Sequence, residues 1–381
     1  MLNEGELRFE RAERILHRRI ERGLYAAGSK LPSETSLSRE LEVSRSSLRK
    51  ALEALEAQGL VEHRPGEPWW VSDAVDVTQR DNCGIVALIV PDVPRLEELR
   101  SRVSGHRHVS WITIVHALAD SGFNVLQLAP SRLQAEGVSS KVAAMLAGVV
   151  ISYEACDLAF ASNFVQACIG EDIPVIVQVE GREFAGVDQV RSDHLGGTVA
   201  MMEWLAERGI KRIQRIWRSI PTDWLRPRDE AYVRVCRERS LPCLEPLVWR
   251  QADMTAEERL EDAVVQLGEV FASSHPPEAL MLINDTAVDV VAQALRRLGL
   301  RPNEDVALCG FDYFWRYQRH DFADPVPPLL TVDKCTPAVG RIVVSMLESR
   351  LANPHAKPFT QAVPARLIVD EEQLARWRAA R

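Results

Sequence analysis

Hydrophobic residues recur at helical spacing over the first sixty residues of the chain. Between residues 6 and 24 they line one face of a predicted helix, with arginine and glutamate on the other face. Ser33 is the predicted N-cap of a second helix from about Glu34 to Leu41, and Ser44 that of a third helix from Arg45 to about Gln58. The chain therefore opens with three predicted helices, the last two separated by a tight turn.

The pattern changes after the third helix. Leu60–His63 and Trp69–Val71 are typical of two hairpin strands, and residues 73–81 have no helical or strand period, so we interpret them as a linker. From Gly84–Val90 to Asp305–Cys309, apolar runs that do not alternate with polar residues are interleaved with helical stretches. Repeated units of this kind predict two doubly wound parallel-sheet lobes with a ligand cleft between them.

The length of the chain agrees with this division, because 381 residues exceed one ordinary domain. We predict an α+β head over residues 1–72, a linker over 73–81 and an α/β core over 82–381. Within the core, we expect an N-lobe of residues 82–190 plus 310–331 and a C-lobe of residues 191–309 plus 332–370.

Composition narrows the class of protein. Charged residues make up 26% of the chain and hydrophobic residues 46%, which is typical of a globular protein. No apolar run reaches the length of a membrane span, and the charged N-terminus lacks the apolar segment of a secretory signal. The seven cysteines form no CxxC pair, which favours a reducing compartment over a disulfide framework or a zinc site. We therefore expect a cytoplasmic protein without a membrane partner.

The net charge of −8 argues against nucleic-acid binding until it is divided by region. Residues 1–72 hold 12 basic and 12 acidic residues, so the acidic excess lies in the remaining chain. Basic and hydroxyl side chains crowd into the first turns of the third helix, with no acid among them: Arg45, Ser46, Ser47, Arg49 and Lys50. A helix N-terminus attracts phosphate, and such side chains reach base edges in the major groove, so this pattern predicts a helix-turn-helix. A solvated helix face is the alternative.

Residues 30–66, KLPSETSLSRELEVSRSSLRKALEALEAQGLVEHRPG, resemble the winged helix-turn-helix of GntR-type bacterial transcription regulators. The resemblance covers about residues 8–71 and implies DNA contacts from the start of the third helix, with Arg64 and Gly66 in the wing beside it. Two positions depart from the family. Thr35 stands where an arginine is usual, and the wing ends in residues 66–71, Gly-Glu-Pro-Trp-Trp-Val, where the family usually has Gly-x-Gly-Thr-Phe/Tyr-Val, so the preferred operator is expected to differ.

The core lacks the motifs of catalysis. It has no Walker sequence, no GxSxG, no HExxH and no GxGxxG after a strand, so we expect neither an enzyme nor a cofactor. His106 and His108 lie close together, but the sequence offers no third ligand for a metal.

Four segments of the core resemble the effector-binding core of LacI-type repressors, which is itself similar to periplasmic sugar-binding proteins. They are residues 84–91, 187–197, 305–312 and 327–332, and the resemblance covers about residues 82–370. The family's Arg-x-x-Gly-aromatic motif appears with Ala231 in place of glycine, and its Asn-Asp pair appears after a strand at residues 284–285.

These positions supply the candidate effector contacts. At the mouth of a cleft, Asp285 would accept hydrogen bonds from sugar hydroxyls and Arg228 would donate them. The alternatives are a helix N-cap for Asp285 and a surface ion pair for Arg228. Asp92 is a weaker contact candidate, and an aromatic or apolar platform for a sugar ring is expected among Trp249, Met254, Trp224, Trp315 and Tyr153.

Together these features predict a ligand-responsive transcription regulator, by resemblance a repressor. It would bind a pseudo-palindromic double-stranded operator as a homodimer and respond to a small molecule in the cleft, by resemblance a carbohydrate. Two alternatives remain open. One is a DNA-binding regulator whose core is only a dimerisation scaffold, and the other is a cytoplasmic sugar-binding protein without DNA activity.

Overall fold

The computed structural model describes residues 8–21, 24–63, 67–73, 84–90, 106–131, 133, 145–156, 160–181, 183–218, 223–249, 254–318, 320–354 and 356–381. Of residues 21, 106–110, 154, 156 and 218 only the backbone is described. Within these ranges, no helix is long and apolar enough to cross a membrane.

The head consists of three helices and a short hairpin, as predicted. Helices α1 (Arg8–Glu21), α2 (Glu34–Glu40) and α3 (Arg45–Ala57) precede strands β1 (Val61–Glu62) and β2 (Trp70–Val71), which pair antiparallel. Both predicted caps are confirmed: the Ser33 hydroxyl accepts a hydrogen bond from the Ser36 amide and the Ser44 hydroxyl one from the Ser47 amide. The apolar stripe of α3 is buried against α1 and the hairpin: Leu48, Ala51, Leu52 and Leu55.

The first part of the core forms a parallel sheet. It contains β3 (Ile85–Ile89), α4 (His106–Asp120), β4 (Asn124–Leu128), β5 (Leu146–Ile151), α5 (Tyr153–Cys156), α6 (Phe160–Gly170), β6 (Val175–Val179) and β7 (Asp188–Ser192). Strands β5 and β6 are rich in valine and isoleucine and almost wholly buried, as the predicted position inside a parallel sheet requires. The hydropathy pattern missed β7, because its buried Asp188 is charged and pairs with Arg350 at 2.8 Å.

The chain then builds a second sheet. Its elements are α7 (His194–Glu207), β8 (Ile213–Arg218), α8 (Arg226–Glu238), β9 (Leu247–Trp249), α9 (Ala256–Phe271), β10 (Ala279–Leu282), α10 (Val288–Arg297), β11 (Ala307–Cys309) and β12 (Leu330–Asp333). It next returns to the first sheet with α11 (Thr336–Ala352) and β13 (Thr360–Val363), and ends in the second with β14 (Arg366–Val369) and α12 (Glu371–Ala379).

In the described residues the strand order is β13-β7-β6-β5-β3-β4 in the N-lobe and β14-β12-β11-β10-β8-β9 in the C-lobe. All pairs are parallel except β12 with β14. The predicted fold class of two parallel-sheet lobes is therefore confirmed. Since the chain crosses between lobes after Ser192, after Asp333 and after Val363, the carboxyl ends of several strands face the cleft near these crossings.

The predicted division of the C-terminal third between lobes was wrong for Leu330–Thr331, α11 and β13, whereas β14 lies in the C-lobe as predicted. Residues 310–331 were assigned to the N-lobe, but β12 pairs with β11 and β14 in the C-lobe sheet. Residues 332–370 were assigned to the C-lobe, but α11 buries Val339, Val343 and Leu347 against α4 in the N-lobe, and β13 pairs with β7 there. The lobe of α11 is decided by the helix against which its apolar face is buried. The hydrophobic pattern of the sequence predicts that face but does not identify α4 as its partner.

Candidate functional sites

The start of α3 presents the candidate DNA-binding face of the head. Arg45, Ser46, Arg49 and Lys50 are exposed, and Ser47 is half-buried. No acidic residue lies in the first turn of this helix. The exposed cations therefore reinforce the positive end of the helix dipole, which is an arrangement suited to phosphate groups.

Side chains of α2 orient two of these arginines. The Arg45 guanidinium donates a hydrogen bond to the Thr35 hydroxyl at 3.1 Å, and the Arg49 Nε donates to Glu34 Oε2 at 2.9 Å. Thr35 occupies a position where GntR-type regulators usually have an arginine. It adds no positive charge there, but its hydroxyl orients the guanidinium of Arg45. The half-exposed pair of Arg49 and Glu34 is weak enough to exchange for a phosphate contact.

The tip of the wing lies outside the described residues, and with it the predicted contacts Arg64 and Gly66. The base of the wing is described. Trp69 is buried in the head's apolar core and its indole N–H points to Glu34 at 3.4 Å, so it packs the wing against α2. Trp70 lies beneath the Lys30 ammonium, 4.9 Å from the ring centroid.

A cavity of about 520 Å³ occupies the interlobe cleft of the core. The N-lobe contributes side chains at the ends of β5, β6 and β7, and the C-lobe contributes the loop after β11. The crossing from β12 to α11 closes one side. The lining residues are Tyr153, Gln178, Glu180, Ser192, Asp312, Tyr313, Phe314, Tyr317, Asp333, Lys334, Thr336, Pro337 and Val339. Hydroxyls, carboxylates, an amide, an ammonium and aromatic rings can therefore all reach a bound molecule.

Charged side chains of both signs connect the two lobes at the wall of this cavity. The Lys334 ammonium lies 3.2 Å from Asp312 Oδ1, and Arg228 approaches the same oxygen at 3.9 Å. Glu180 accepts a hydrogen bond from Ser192 at 2.9 Å and makes a short contact with His194 Nε2. Because Arg228 Nε donates to His194 Nδ1 at 3.1 Å, the imidazole proton is assigned to Nε2, which donates to Glu180.

The protonation of these groups follows from their surroundings. Burial alone would raise the pKa of Glu180, but Lys334, His194 and Ser192 lower it to about 2. Burial lowers the pKa of His194, and the attraction of Glu180 only partly opposes this. Burial also lowers the pKa of Arg228 to about 10, against the pull of Asp312 and Glu180. At neutral pH the cluster thus holds anionic Glu180 and cationic Arg228 around a neutral His194.

Arg228, a predicted effector contact, lies behind the cavity wall and not on it. Its side chain is 2% exposed, its Nη1 donates to the Ile283 carbonyl at 2.6 Å, and its guanidinium stacks 3.3 Å from the Phe311 ring centroid. The alternative of a surface ion pair with Asp229 or Glu230 is wrong, because the Arg228 side chain is buried and Asp229 pairs with Arg215 instead. Arg228 instead positions Asp312, which lines the cavity.

Asp285, the other main candidate, is also removed from the cavity. It is fully buried, and its carboxylate accepts hydrogen bonds from the Phe314 and Trp315 amides and the Thr331 hydroxyl at 2.7–3.0 Å. These bonds hold the loop that carries Asp312, Tyr313 and Phe314 to the cavity. The N-cap alternative is wrong as well, because the Asn284 side chain accepts the hydrogen bond from the Thr286 amide.

Of the aromatic and apolar residues predicted as a platform for a sugar ring, only Tyr153 lines the cavity. Trp249 and Trp315 are buried in the C-lobe core, and neither they nor Met254 lines the cavity. Trp224 packs over Arg228, 4.9 Å from its guanidinium. Tyr153 does line the cavity, with the Lys334 ammonium 5.5 Å from its ring centroid. Asp92 lies outside the described residues.

Four residues of the cavity and its charge cluster were not among the predicted contacts: Glu180, His194, Asp312 and Lys334. His194 and Asp312 lie within two of the segments that resemble LacI-type repressors, and Lys334 lies two residues after a third such segment, residues 327–332. Glu180 directly follows the apolar run of β6, which is the available signal for a residue at a strand's carboxyl end. Among the described residues, no group of three or more His, Cys, Asp or Glu side chains is placed to hold a metal ion.

Two family descriptions match separate parts of the chain. Residues 9–71 match the bacterial regulatory proteins of the gntR family, and residues 202–370 match the periplasmic binding protein-like domain. An Uxu operon regulator from Haemophilus influenzae is 31% identical over 120 residues, which cover 32% of this chain and 43% of that protein. The transcriptional repressor PurR from Vibrio atlanticus is 22% identical over 180 residues, which cover 47% of this chain and 51% of that protein. The chain thus spans about half the length of these curated relatives, which carry the names of regulators and not of enzymes.

Solved structures share the architecture of the core. A regulatory protein of the LacI family from Chloroflexus aggregans has a TM-score of 0.57 at 17% identity, over 75% of this chain and 96% of that one. A LacI-family regulator from Enterococcus faecium with bound ribose has a TM-score of 0.55 at 16% identity, over 74% and 96%. The regulator CelR in complex with cellobiose has a TM-score of 0.56 at 19% identity, over 89% and 99%. At these identities the similarity establishes the fold.

Proposed function

We propose that this chain, which joins a gntR-family helix-turn-helix domain to a LacI-like periplasmic binding protein-like domain, is a transcription regulator controlled by a small molecule. The head binds a double-stranded operator, and the core binds the effector between its lobes. One observation carries the proposal: an exposed cationic helix start and a polar interlobe cavity belong to the same chain. A sugar-binding protein without DNA activity has no use for the first of these features.

The DNA-binding part of the proposal rests on Arg45, Ser46, Ser47, Arg49 and Lys50. Inserted N-terminus first into a major groove, α3 brings the arginines to base edges or phosphates and the serine hydroxyls to phosphate oxygens. The neutral charge balance of residues 1–72 does not oppose this, since the acids of α3, Glu53 and Glu56, come two or more turns after the helix start. Arg64 and Gly66 complete the proposed contact surface.

Operator binding is tested with a duplex selected from random sequences by the full-length protein. We expect Arg45→Ala combined with Arg49→Ala to weaken binding to this duplex by at least about 30-fold, since each lost base contact costs about 1–3 kcal/mol. Arg297→Ala, which removes an exposed cation of the core, is the matched control and leaves the affinity unchanged. Equal affinity of the double variant and wild type would contradict DNA recognition by α3.

The proposed effector is a sugar. The cavity offers paired acceptors in Glu180 and Asp312, donors in Lys334 and Gln178, and aromatic rings such as Tyr153, which together suit a polyhydroxylated ring with an apolar face. Two regulators of similar fold, one of the LacI family and the other CelR, hold ribose and cellobiose respectively. Since the buried charges of the cluster largely balance, an uncharged sugar fits better than an ion.

A thermal-shift screen of neutral sugars, including ribose and cellobiose, tests this assignment. At least one sugar is expected to raise the melting temperature of wild type and of Asp321→Asn, an exposed control, but not of Asp312→Asn. A screen without any stabilising sugar would favour the alternative in which the core is only a dimerisation scaffold. Stabilisation that persists in Asp312→Asn would remove Asp312 from the site.

The proposal includes a homodimer and repression of transcription. A dimer matches a pseudo-palindromic operator, because two recognition helices then meet successive major grooves on one side of the duplex. Sedimentation of the free protein tests the dimer, and a reporter gene placed behind the selected operator distinguishes repression from activation.

A further inference from the structure

Helix α1 carries a row of arginines on the face that points away from the head's apolar core. Arg11, Arg14 and Arg18 follow each other at intervals of three and four residues, which places them on one side of the helix. The apolar residues of α1 pack against α3 on the other side, at Ala12, Ile15, Leu16 and Ile20. The arginine row therefore lies outside the apolar core of the head.

All three arginines, and the adjacent Arg19, contact the turn that follows α6 in the N-lobe. Arg11 donates from Nε and Nη2 to the Gly170 carbonyl at 3.2 and 2.6 Å. Arg18 Nη1 donates to the Glu171 carbonyl at 2.6 Å. The remaining contacts are ion pairs, of Arg14 with the Glu171 carboxylate and of Arg19 with Asp172 at 2.8 Å.

The chemistry of this turn suits four cations. Residues 170–172 end α6, where carbonyls lack helical partners and the helix dipole is negative. Asp172 adopts a left-handed φ of 57°, and the Ile173 amide closes the turn onto the Cys168 carbonyl at 3.0 Å. Two main-chain carbonyls and two carboxylates are thereby turned outward, toward α1.

Burial separates this contact from an ordinary surface ion pair. The side chains of Arg14 and Glu171 are 14% and 6% exposed, whereas those of Arg297 and Glu257 on the C-lobe are 42% and 63% exposed. Arg19 also donates to Glu40 of α2 at 2.8 Å, so one guanidinium connects the N-lobe turn to the first helix of the helix-turn-helix. Breaking the contact leaves several charged groups to find new partners.

We propose that these contacts form an interdomain clamp, in which the arginine row of α1 grips the 170–172 turn and sets the position of the DNA-binding head on the N-lobe. The turn leads directly into β6, and Gln178 and Glu180 at the far end of that strand line the cavity. If β6 shifts when a molecule binds in the cleft, the 170–172 turn moves with it and displaces α1 directly. This route to the head does not depend on the linker. This role in regulation rests on the proposed function, whereas the clamp itself does not.

The clamp is tested by charge reversal in the full-length chain, with small-angle X-ray scattering as the readout. Glu171→Arg is expected to release the head and increase the radius of gyration and maximum dimension. Adding Arg14→Glu restores an attractive pair and returns both values toward wild type. The milder double variant Glu171→Gln and Asp172→Asn keeps the shape of the turn, since asparagine tolerates the left-handed conformation, and it expands the protein in the same direction.

Glu257→Arg is the matched control, because it reverses a carboxylate on the other lobe, and it leaves the scattering unchanged. Unchanged dimensions in both clamp-breaking variants would overturn the clamp. Expansion that Arg14→Glu fails to reverse would overturn the assigned pairing.

The link to DNA is tested on a selected operator and on a single half-site. Releasing the head lowers the effective concentration of the second head, so Glu171→Arg weakens binding to the full operator by about tenfold and to the half-site by less than about twofold. Equal effects on both duplexes would overturn the positioning role. Failure of wild type to bind either duplex would instead refute the proposed function, and the scattering result would still decide the clamp.

Discussion

Asp285 and Asp312 follow neighbouring strands of the C-lobe sheet, but burial gives them different roles. Asp312 reaches the cavity between two cations. Asp285 is enclosed, and burial raises its pKa to about 7, although hydrogen bonds from Thr331, Trp315 and Phe314 oppose the rise. Asp312 can therefore contact a bound molecule, whereas Asp285 holds the loop that carries Asp312.

The raised pKa of Asp285 predicts a pH-dependent stability. An unfolded aspartate titrates near pH 3.9, so between about pH 4 and 7 the folded state holds a proton that the unfolded state has lost. The stability contributed by this group is fully present below about pH 4. It is lost as pH rises to 7, by up to about 1.4 kcal/mol per pH unit.

We expect Asp285→Asn, which has the same shape and does not titrate, to gain melting temperature relative to wild type as pH rises from 5 to 7.5. Differential scanning calorimetry across this range measures the effect, with Asp321→Asn as an exposed control. Parallel pH curves for wild type and Asp285→Asn would mean that the buried carboxylate does not titrate in this window.

Residues whose role is local could be predicted from the sequence. Ser33 and Ser44 cap their helices because a serine hydroxyl needs only an amide three residues ahead. Asp285 was predicted at the cavity and Asp312 was not, because both follow strands and only tertiary packing decides which carboxylate faces the cleft. Lys334 was missed for the same reason, since its partners Asp312 and Glu180 come from different lobes.

At the scale of elements, α11 shows how a close contact between helices assigns an element to a lobe. Gly340 lies where α11 crosses α4, and a Cβ atom there would come within 2.5 Å of the Thr113 carbonyl and 2.9 Å of Ala117. The helical pattern of α11 specifies its apolar face but not the partner of that face. The predicted lobe was therefore wrong for α11 and β13, and β7 was missed because buried Asp188 hides the strand pattern.

Two glycines give a matched test of this contact. Alanine is favoured over glycine inside a helix by about 1 kcal/mol, so Gly268→Ala in α9, where the nearest atom is an ordinary 3.6 Å away, is expected to stabilise the protein. Gly340→Ala gains the same propensity but forces α11 away from α4 at a cost of about 1–3 kcal/mol, so we expect a net loss of up to about 2 kcal/mol. Urea unfolding of the two variants compares the signs directly. Stabilisation by Gly340→Ala would show that the helix contact is loose.

At the scale of the whole molecule, charge is divided between a neutral head and an acidic core. Residues 1–72 balance 12 basic against 12 acidic residues, and the rest of the chain holds 34 against 42. Four basic residues of the head, Arg11, Arg14, Arg18 and Arg19, are also engaged by the N-lobe turn. Six basic residues of the described head then remain, and three of them, Arg45, Arg49 and Lys50, lie at the start of α3, so DNA affinity should depend on few phosphate contacts.

This distribution predicts a shallow but measurable salt dependence of operator binding. Each neutralised phosphate releases counterions, so the logarithm of the association constant falls with the logarithm of salt concentration by about 0.9 per contact. Lys50 is exposed near the start of α3, and Lys50→Ala is expected to reduce this slope by about one while weakening all duplex sequences alike. Lys211 is an exposed cation of the C-lobe, and the control variant Lys211→Ala leaves the slope unchanged.

Fluorescence anisotropy between about 50 and 200 mM salt measures both slopes. An unchanged slope in Lys50→Ala would place the phosphate contacts elsewhere, with the wing as the next region to mutate.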